Sequence, residues 1–176
     1  MSRWQLLIVW QLLPLSSIAQ DDLLDLYSDM EQAEAAPTEV RERFENAGTQ
    51  VVTQTVQVRV TGVRNTTGSI RVLLFDDPTA FARLDVSAAV GYHSFSAAEA
   101  TNNHKLSAYG TGPFAAFVLH DENDNERLDM NGPRPQEGYA YSGALEPFLP
   151  PPFSAAARIT ETLSVRLNYF TNRMRR

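Results

Sequence analysis

Apolar and polar residues alternate strictly in "QTVQVRVTGV", with Val56, Val58 and Val60 on one side and Gln57, Arg59 and Thr61 on the other. A period of two marks a half-buried β-strand, because successive side chains of an extended chain point to opposite faces. "RNTTG" follows as a turn and "SIRVLLFD" as the next strand, which predicts a hairpin. "DPTAFARL" predicts a loop with one turn of helix. "AVGYHSFSA" and "HKLSAY" predict two more strands, and "GTGP" breaks the pattern before the apolar strand "FAAFVLHD". "GYAYSG" predicts a short extended segment. "PFLPPPF" has few backbone donors and is expected along an edge or over the core. "ETLSVRLNYF" alternates again, with Leu163, Val165, Leu167 and Tyr169 on one face. Short strands at this spacing, without intervening helices, predict an all-β fold: an antiparallel β-sandwich over residues 49–170.

The first residues follow a different pattern. Arg3 precedes the apolar stretch "WQLLIVWQLLPL", and Ser17 and Ala19 occupy the small-residue positions before a cut. Residues 1–19 therefore read as an export signal, with a retained N-terminal anchor as the alternative. The stretch is too short for a comfortable membrane span and meets Pro14. Residues 20–48 are rich in Glu, Ala and Leu and split at Pro37. Leu23, Leu26, Tyr27 and Met30 fall at helical spacing, and Thr38 can cap a second short piece ending at Gly48. Each piece is too short to be stable alone, so the expectation is an acidic linker, helical or disordered. A docking helix is the alternative. Residues 171–176, "TNRMRR", form a basic tail.

Charge and cysteine content narrow the picture. A formal charge of −6 argues against a nucleic-acid partner, which needs a basic face for phosphates. The chain has no cysteine, so it carries neither a disulfide framework nor a lipid-attachment cysteine. Its expected location is periplasmic or secreted, with no membrane span once the signal is removed.

The candidate chemistry lies in "HDENDNERLD", His120 to Asp129. Calcium takes oxygen ligands, and a D-x-[DN]-x-[DN] loop supplies them from alternate residues. Asp121, Asn123 and Asn125 satisfy that spacing; Arg127 would offer its backbone carbonyl, and Asp129 would follow directly or through water. Two features depart from the usual loop. Glu126 stands where a sharp turn favours glycine, and the position expected to hold a bidentate glutamate is Gly132. Glu137 can replace that glutamate if the chain folds back. The competing reading is an Asp/Asn-rich turn held by its own side-chain-to-backbone hydrogen bonds.

"GPFAAFVLHDENDNERLDMNGPRPQEGYAYSG", "PPFSAAA" and "LSVRLNYF" together resemble the exported bacterial family called domain of unknown function 2141. The matching positions are His120, Asp121, Asn123, Asn125, Leu128, Asp129, Glu137, Gly138, Tyr139, Tyr141 and Ser142; Glu126 and the short "MNGPRP" loop depart from its pattern. The resemblance implies an exported β-sandwich, immunoglobulin-like or prealbumin-like, and implies no particular activity.

Other sites carry weaker signals. His120 can orient the loop, ligate a metal or act as a base. With Asp121 and Glu137 it would centre a metal-dependent hydrolase. His93 and His104 are too far apart for a local zinc signature. Ser142 lies in "YSG" and not in a nucleophile elbow. Tyr139, Tyr141, Phe148 and Phe153 offer a sugar- or peptide-stacking platform, or else half of a core. The reading that follows is a non-enzymatic binding or scaffolding module of the cell envelope with a weak calcium loop, its partner a protein or glycan.

Overall fold

The computed structural model describes residues 52–159 and 162–170. The expected signal at 1–19, the linker at 20–48 and the basic tail at 171–176 lie outside the described residues.

The elements run in the order β1 (Thr53–Thr61), β2 (Ser69–Phe75), α1 (Pro78–Arg83), β3 (Gly91–Ser96), β4 (His104–Tyr109), β5 (Ala115–Asp121), β6 (Met130–Asn131), β7 (Arg134–Pro135), β8 (Gly138–Tyr141), α2 (Phe153–Ala156) and β9 (Thr162–Arg166). One sheet has the order β4-β1-β9 and another β3-β2-β5-β8, with β6 and β7 as a two-residue ladder inside the acidic loop. All pairings are antiparallel except β1 with β9, which is parallel. The protein is thus predominantly antiparallel β-sheet with little helix, in a sandwich-like arrangement.

The predicted hairpin between the first two strands does not form. β1 pairs with β4 and β9, and β2 pairs with β3 and β5. Their apolar faces meet across the core instead: Val56, Val58 and Val60 share one buried cluster with Ile70, Val72 and Leu74. Alternation fixes which side chains are buried but not which backbone the strand bonds to, so "RNTTG" serves equally well as a crossing between sheets.

β2 and β5 are apolar on both faces because the four-stranded sheet is covered twice. Its inner face supplies Ile70, Val72, Leu74, Ala116 and Val118 to the core between the sheets. Its outer face supplies Leu73, Phe75, Phe117 and Leu119 to a second cluster with Phe81, Tyr141 and Ala156, roofed by the two short helices. The first helix starts where Asp77 accepts the backbone N–H groups of Thr79 and Ala80, with Pro78 in its first turn. It stops at Leu84, whose φ of 49° is left-handed.

Candidate functional site

The acidic loop begins where β5 leaves the sheet. The period of two sends neighbouring residues to opposite faces, so His120 points into the seam between the sheets and Asp121 points to the outer face. Both are fully buried, at 0 % exposure. They are adjacent in sequence and do not share a site.

Asp121 organises the loop. Its Oδ1 accepts the Asn125 N–H at 3.1 Å, and its Oδ2 accepts the Glu126 N–H at 2.8 Å and Arg71 Nε at 2.7 Å. Arg71 sits on β2 as its one charged residue, and also reaches the Tyr92 hydroxyl and Glu126. Two further side-chain turns follow. Asn123 Oδ1 accepts the Asn125 N–H at 3.2 Å, and Asn125 Oδ1 accepts the Arg127 N–H at 2.9 Å. This winding needs left-handed backbone at Asp124 (φ 56°) and Glu126 (φ 66°). Glutamate thus adopts the conformation for which glycine was expected, at a cost of about 1–2 kcal/mol.

The chain then folds back. The β6–β7 ladder turns at Gly132, the Gln136 N–H reaches the Asp129 carbonyl, and Glu137 returns to the loop. Its Oε1 accepts the Glu122 N–H at 2.7 Å, and its Oε2 accepts the Asp129 N–H at 3.1 Å. Asp129 in turn accepts Asn123 Nδ2 at 2.7 Å and Asn125 Nδ2 at 2.9 Å. The six positions Asp121, Asn123, Asn125, Arg127, Asp129 and Glu137 therefore fall within one hydrogen-bonded loop.

Burial pushes the Glu137 carboxyl up to about 7; two backbone N–H bonds oppose the shift, while Asp121 and Asp129 add to it. Burial also pushes Glu122 up, but Arg64 outweighs it with a two-pronged ion pair, and the Glu122 pKa lies below its ordinary value. Arg64 further donates to the Gln136 carbonyl and stacks over the Tyr169 ring, tying the loop to the segment that follows β9.

The arrangement bears on calcium directly. The two asparagines turn nitrogen, not oxygen, towards Asp129. Flipping either amide would set its Nδ2 against a backbone N–H, so the orientation is fixed by the donors around it. Among the described residues no group of three or more His, Asp or Glu is gathered closely enough to hold a metal ion. The donor set suits calcium in kind. As arranged, its oxygens are engaged by N–H donors and by Arg71.

His120 belongs to a separate relay. Its Nε2 donates to the Thr67 carbonyl at 2.8 Å, which leaves Nδ1 to accept from the Tyr169 hydroxyl at 2.7 Å; that hydroxyl accepts the Arg64 N–H. Ser142 is also a joint: its hydroxyl donates to the Ala156 carbonyl and accepts the Ala116 N–H, linking β5 to α2. The aromatic platform packs largely inward. Tyr141 and Phe153 meet Phe81 edge to face, Tyr139 packs on Phe117, and its hydroxyl donates to the Phe148 carbonyl. Burial pushes the Tyr139 phenol up to about 12. Leu145 is left 97 % exposed, beside a cavity of about 300 Å³ lined in part by Ser164, Arg166 and Asn168.

Sequence spacing missed Arg71, Arg64, Thr67 and Tyr169 as partners of the loop. Arg71 carried a signal, a lone charge within "SIRVLLF". The other three contacts are long-range and leave no local trace. His93 and His104, too far apart for a local motif, approach each other in space with ring centroids 6.0 Å apart.

A family model described as "Uncharacterized protein conserved in bacteria (DUF2141)" matches residues 58–166. No curated protein and no solved structure matches the chain.

Proposed function

We propose that this chain, which belongs to the bacterial family described as "Uncharacterized protein conserved in bacteria (DUF2141)", is a non-enzymatic binding or scaffolding module of the cell envelope. In this reading it is exported on residues 1–19, folds as an immunoglobulin-like or prealbumin-like sandwich, and presents the 121–137 loop to a protein or glycan partner. The observation that carries it is the state of the loop's acids. Asp121 and Glu137 accept backbone N–H groups with both oxygens, and His120 is enclosed with both ring nitrogens bonded. Such groups build a rigid frame; a general base needs an accessible proton acceptor within reach of a substrate. Amide hydrogen exchange tests the frame. With chelator present, the amides of Glu122, Asn125, Glu126 and Asp129 should be protected like those of β5. Exchange at solvent rates would overturn it. N-terminal sequencing of the mature protein, expected to begin at Gln20, tests the export half.

Calcium is the second reading, supported by the Asp121, Asn123, Asn125 spacing and by the return of Glu137 to the loop beside Asp129. The ion would be held by these acids, the two amide oxygens and the Arg127 carbonyl, after Asn123 and Asn125 release Asp129. With two or three carboxylates the site is weak, in the range of extracellular calcium modules at about 0.1–1 mM. On this reading millimolar calcium raises the melting temperature and Asp129→Asn removes the effect. An unchanged melt would eliminate the ion and leave the frame intact.

A further inference from the structure

The seam where β3 meets β4 brings together two imidazoles that no local motif connects. His93 lies opposite Val72 on β2, and His104 lies opposite Val58 on β1, so both have the parity of the inner face. They belong to different sheets, and each sits on an edge strand, half-buried. Their ring centroids are 6.0 Å apart with planes at 47°.

From this geometry we infer that His93 and His104 form a two-imidazole site for a borderline divalent transition ion of the nickel or zinc type. Imidazole nitrogen is a preferred ligand of these ions. A metal–nitrogen distance of about 2.0–2.1 Å plus roughly 1.1 Å to the ring centre puts each centroid about 3.2 Å from the ion. Two rings on one ion can then stand up to roughly 6.4 Å apart, and about 5 Å at a tetrahedral angle. The observed separation falls inside that span.

The surroundings prepare one ring and leave the other available. His104 stacks on Phe95, with centroids 3.4 Å apart and planes 7° apart, which holds its plane. Its Nε2 lies 2.9 Å from the Glu99 carbonyl, which can only accept, so Nε2 donates there and Nδ1 is the nitrogen left for a ligand. A ligating histidine is oriented in this way, by a carbonyl on its far nitrogen. His93 makes no hydrogen bond among the described residues. Burial, then repulsion from His104 when that ring is protonated, lowers its pKa, which favours the neutral form a ligand must have. Water completes the coordination, since no third His, Asp or Glu joins the pair among the described residues.

Composition makes the assignment testable. The chain has three histidines and no cysteine, and the third, His120, is enclosed with both nitrogens engaged. The full untagged chain is titrated with nickel chloride and zinc chloride by calorimetry at pH 7.5. The expected result is one ion per chain, at least tenfold weaker in His93→Gln and in His104→Gln. Equal affinity in the wild type and the doubly substituted chain would overturn the site. Nickel-induced broadening of the wild-type NMR spectrum serves as a readout independent of variant folding. Broadening centred on residues 91–96 and 104–109 supports the pair; broadening centred on the 121–137 loop overturns it.

Discussion

Glu137→Gln should change how stability depends on pH, and the structure fixes the sign. The Glu137 carboxyl titrates near 7 in the fold against an ordinary value of 4.5. A raised folded pKa means the native state takes up this proton before the unfolded chain does. The resulting stability is fully present below 4.5 and is lost as pH rises through 7. Between pH 8 and pH 5 the wild type should therefore gain about 2.5 kcal/mol relative to a chain without this titration, at 1.36 kcal/mol per unit. Glutamine keeps one acceptor and loses the other, leaving one of the Glu122 and Asp129 amides without its partner. That loss is about 1–3 kcal/mol but does not vary with pH, so it cancels in the difference. His93 works in the opposite direction. Its folded pKa is lowered, so acidification below about 6.5 favours the unfolded chain; both proteins carry it equally. Urea unfolding of wild type and Glu137→Gln in chelator at pH 5, 6, 7 and 8 measures the effect. A wild-type-minus-variant difference flat to within about 0.5 kcal/mol would refute the argument that burial dominates over the two N–H bonds.

Four further substitutions probe the same frame. Arg71→Met leaves Asp121 buried without its cation and should cost about 3–5 kcal/mol in urea unfolding; a loss under 1 kcal/mol would mean the N–H bonds alone suffice. Gly68→Ala places a Cβ 2.0 Å from the Asp121 carbonyl at a φ of 71°, and should lower the melting temperature by many degrees. Glu126→Gly relieves the left-handed strain but gives up the half-exposed contact to Arg71, for a net gain below about 1 kcal/mol. A clear loss there would make the ion pair the stronger effect. Tyr169→Phe deprives His120 Nδ1 of its donor and should cost about 1–3 kcal/mol, with a changed imidazole signal by NMR as the direct check.

What the sequence conveyed and what it withheld divide along physical lines. The strands were legible because each buries one face: Val56, Val58 and Val60 alternate with polar neighbours, and Leu163 and Val165 do the same. β4 was predicted at the residues where it forms, His104–Tyr109. Strand partnership was not legible, because the same alternation serves a hairpin or a crossing, and the pairing of β1 with β9 spans the whole domain. The acidic loop was legible as spacing. Its electrostatics were not, since Arg71 reaches Asp121 from another strand and Arg64 reaches Glu122 across the crossing from β1 to β2.

Parity connects these cases and bears most directly on function. In "FAAFVLHD" the run of buried residues conceals the alternation, because both faces of β5 are covered and every position is apolar or enclosed. Polarity could not reveal which residues shared a face. Once the strand is known to extend through Asp121, the assignment follows: Phe117, Leu119 and Asp121 face outward with Arg71, and Ala116, Val118 and His120 face the seam with Tyr169. The histidine and the aspartate of the motif then answer to different neighbours, one to the strand crossing and one to the loop. The H-D pair fastens the start of the Asp121–Glu137 frame to the sandwich, Asp121 through Arg71 and His120 through Thr67 and Tyr169, while Glu137 closes the frame from its other end through the Glu122 and Asp129 amides.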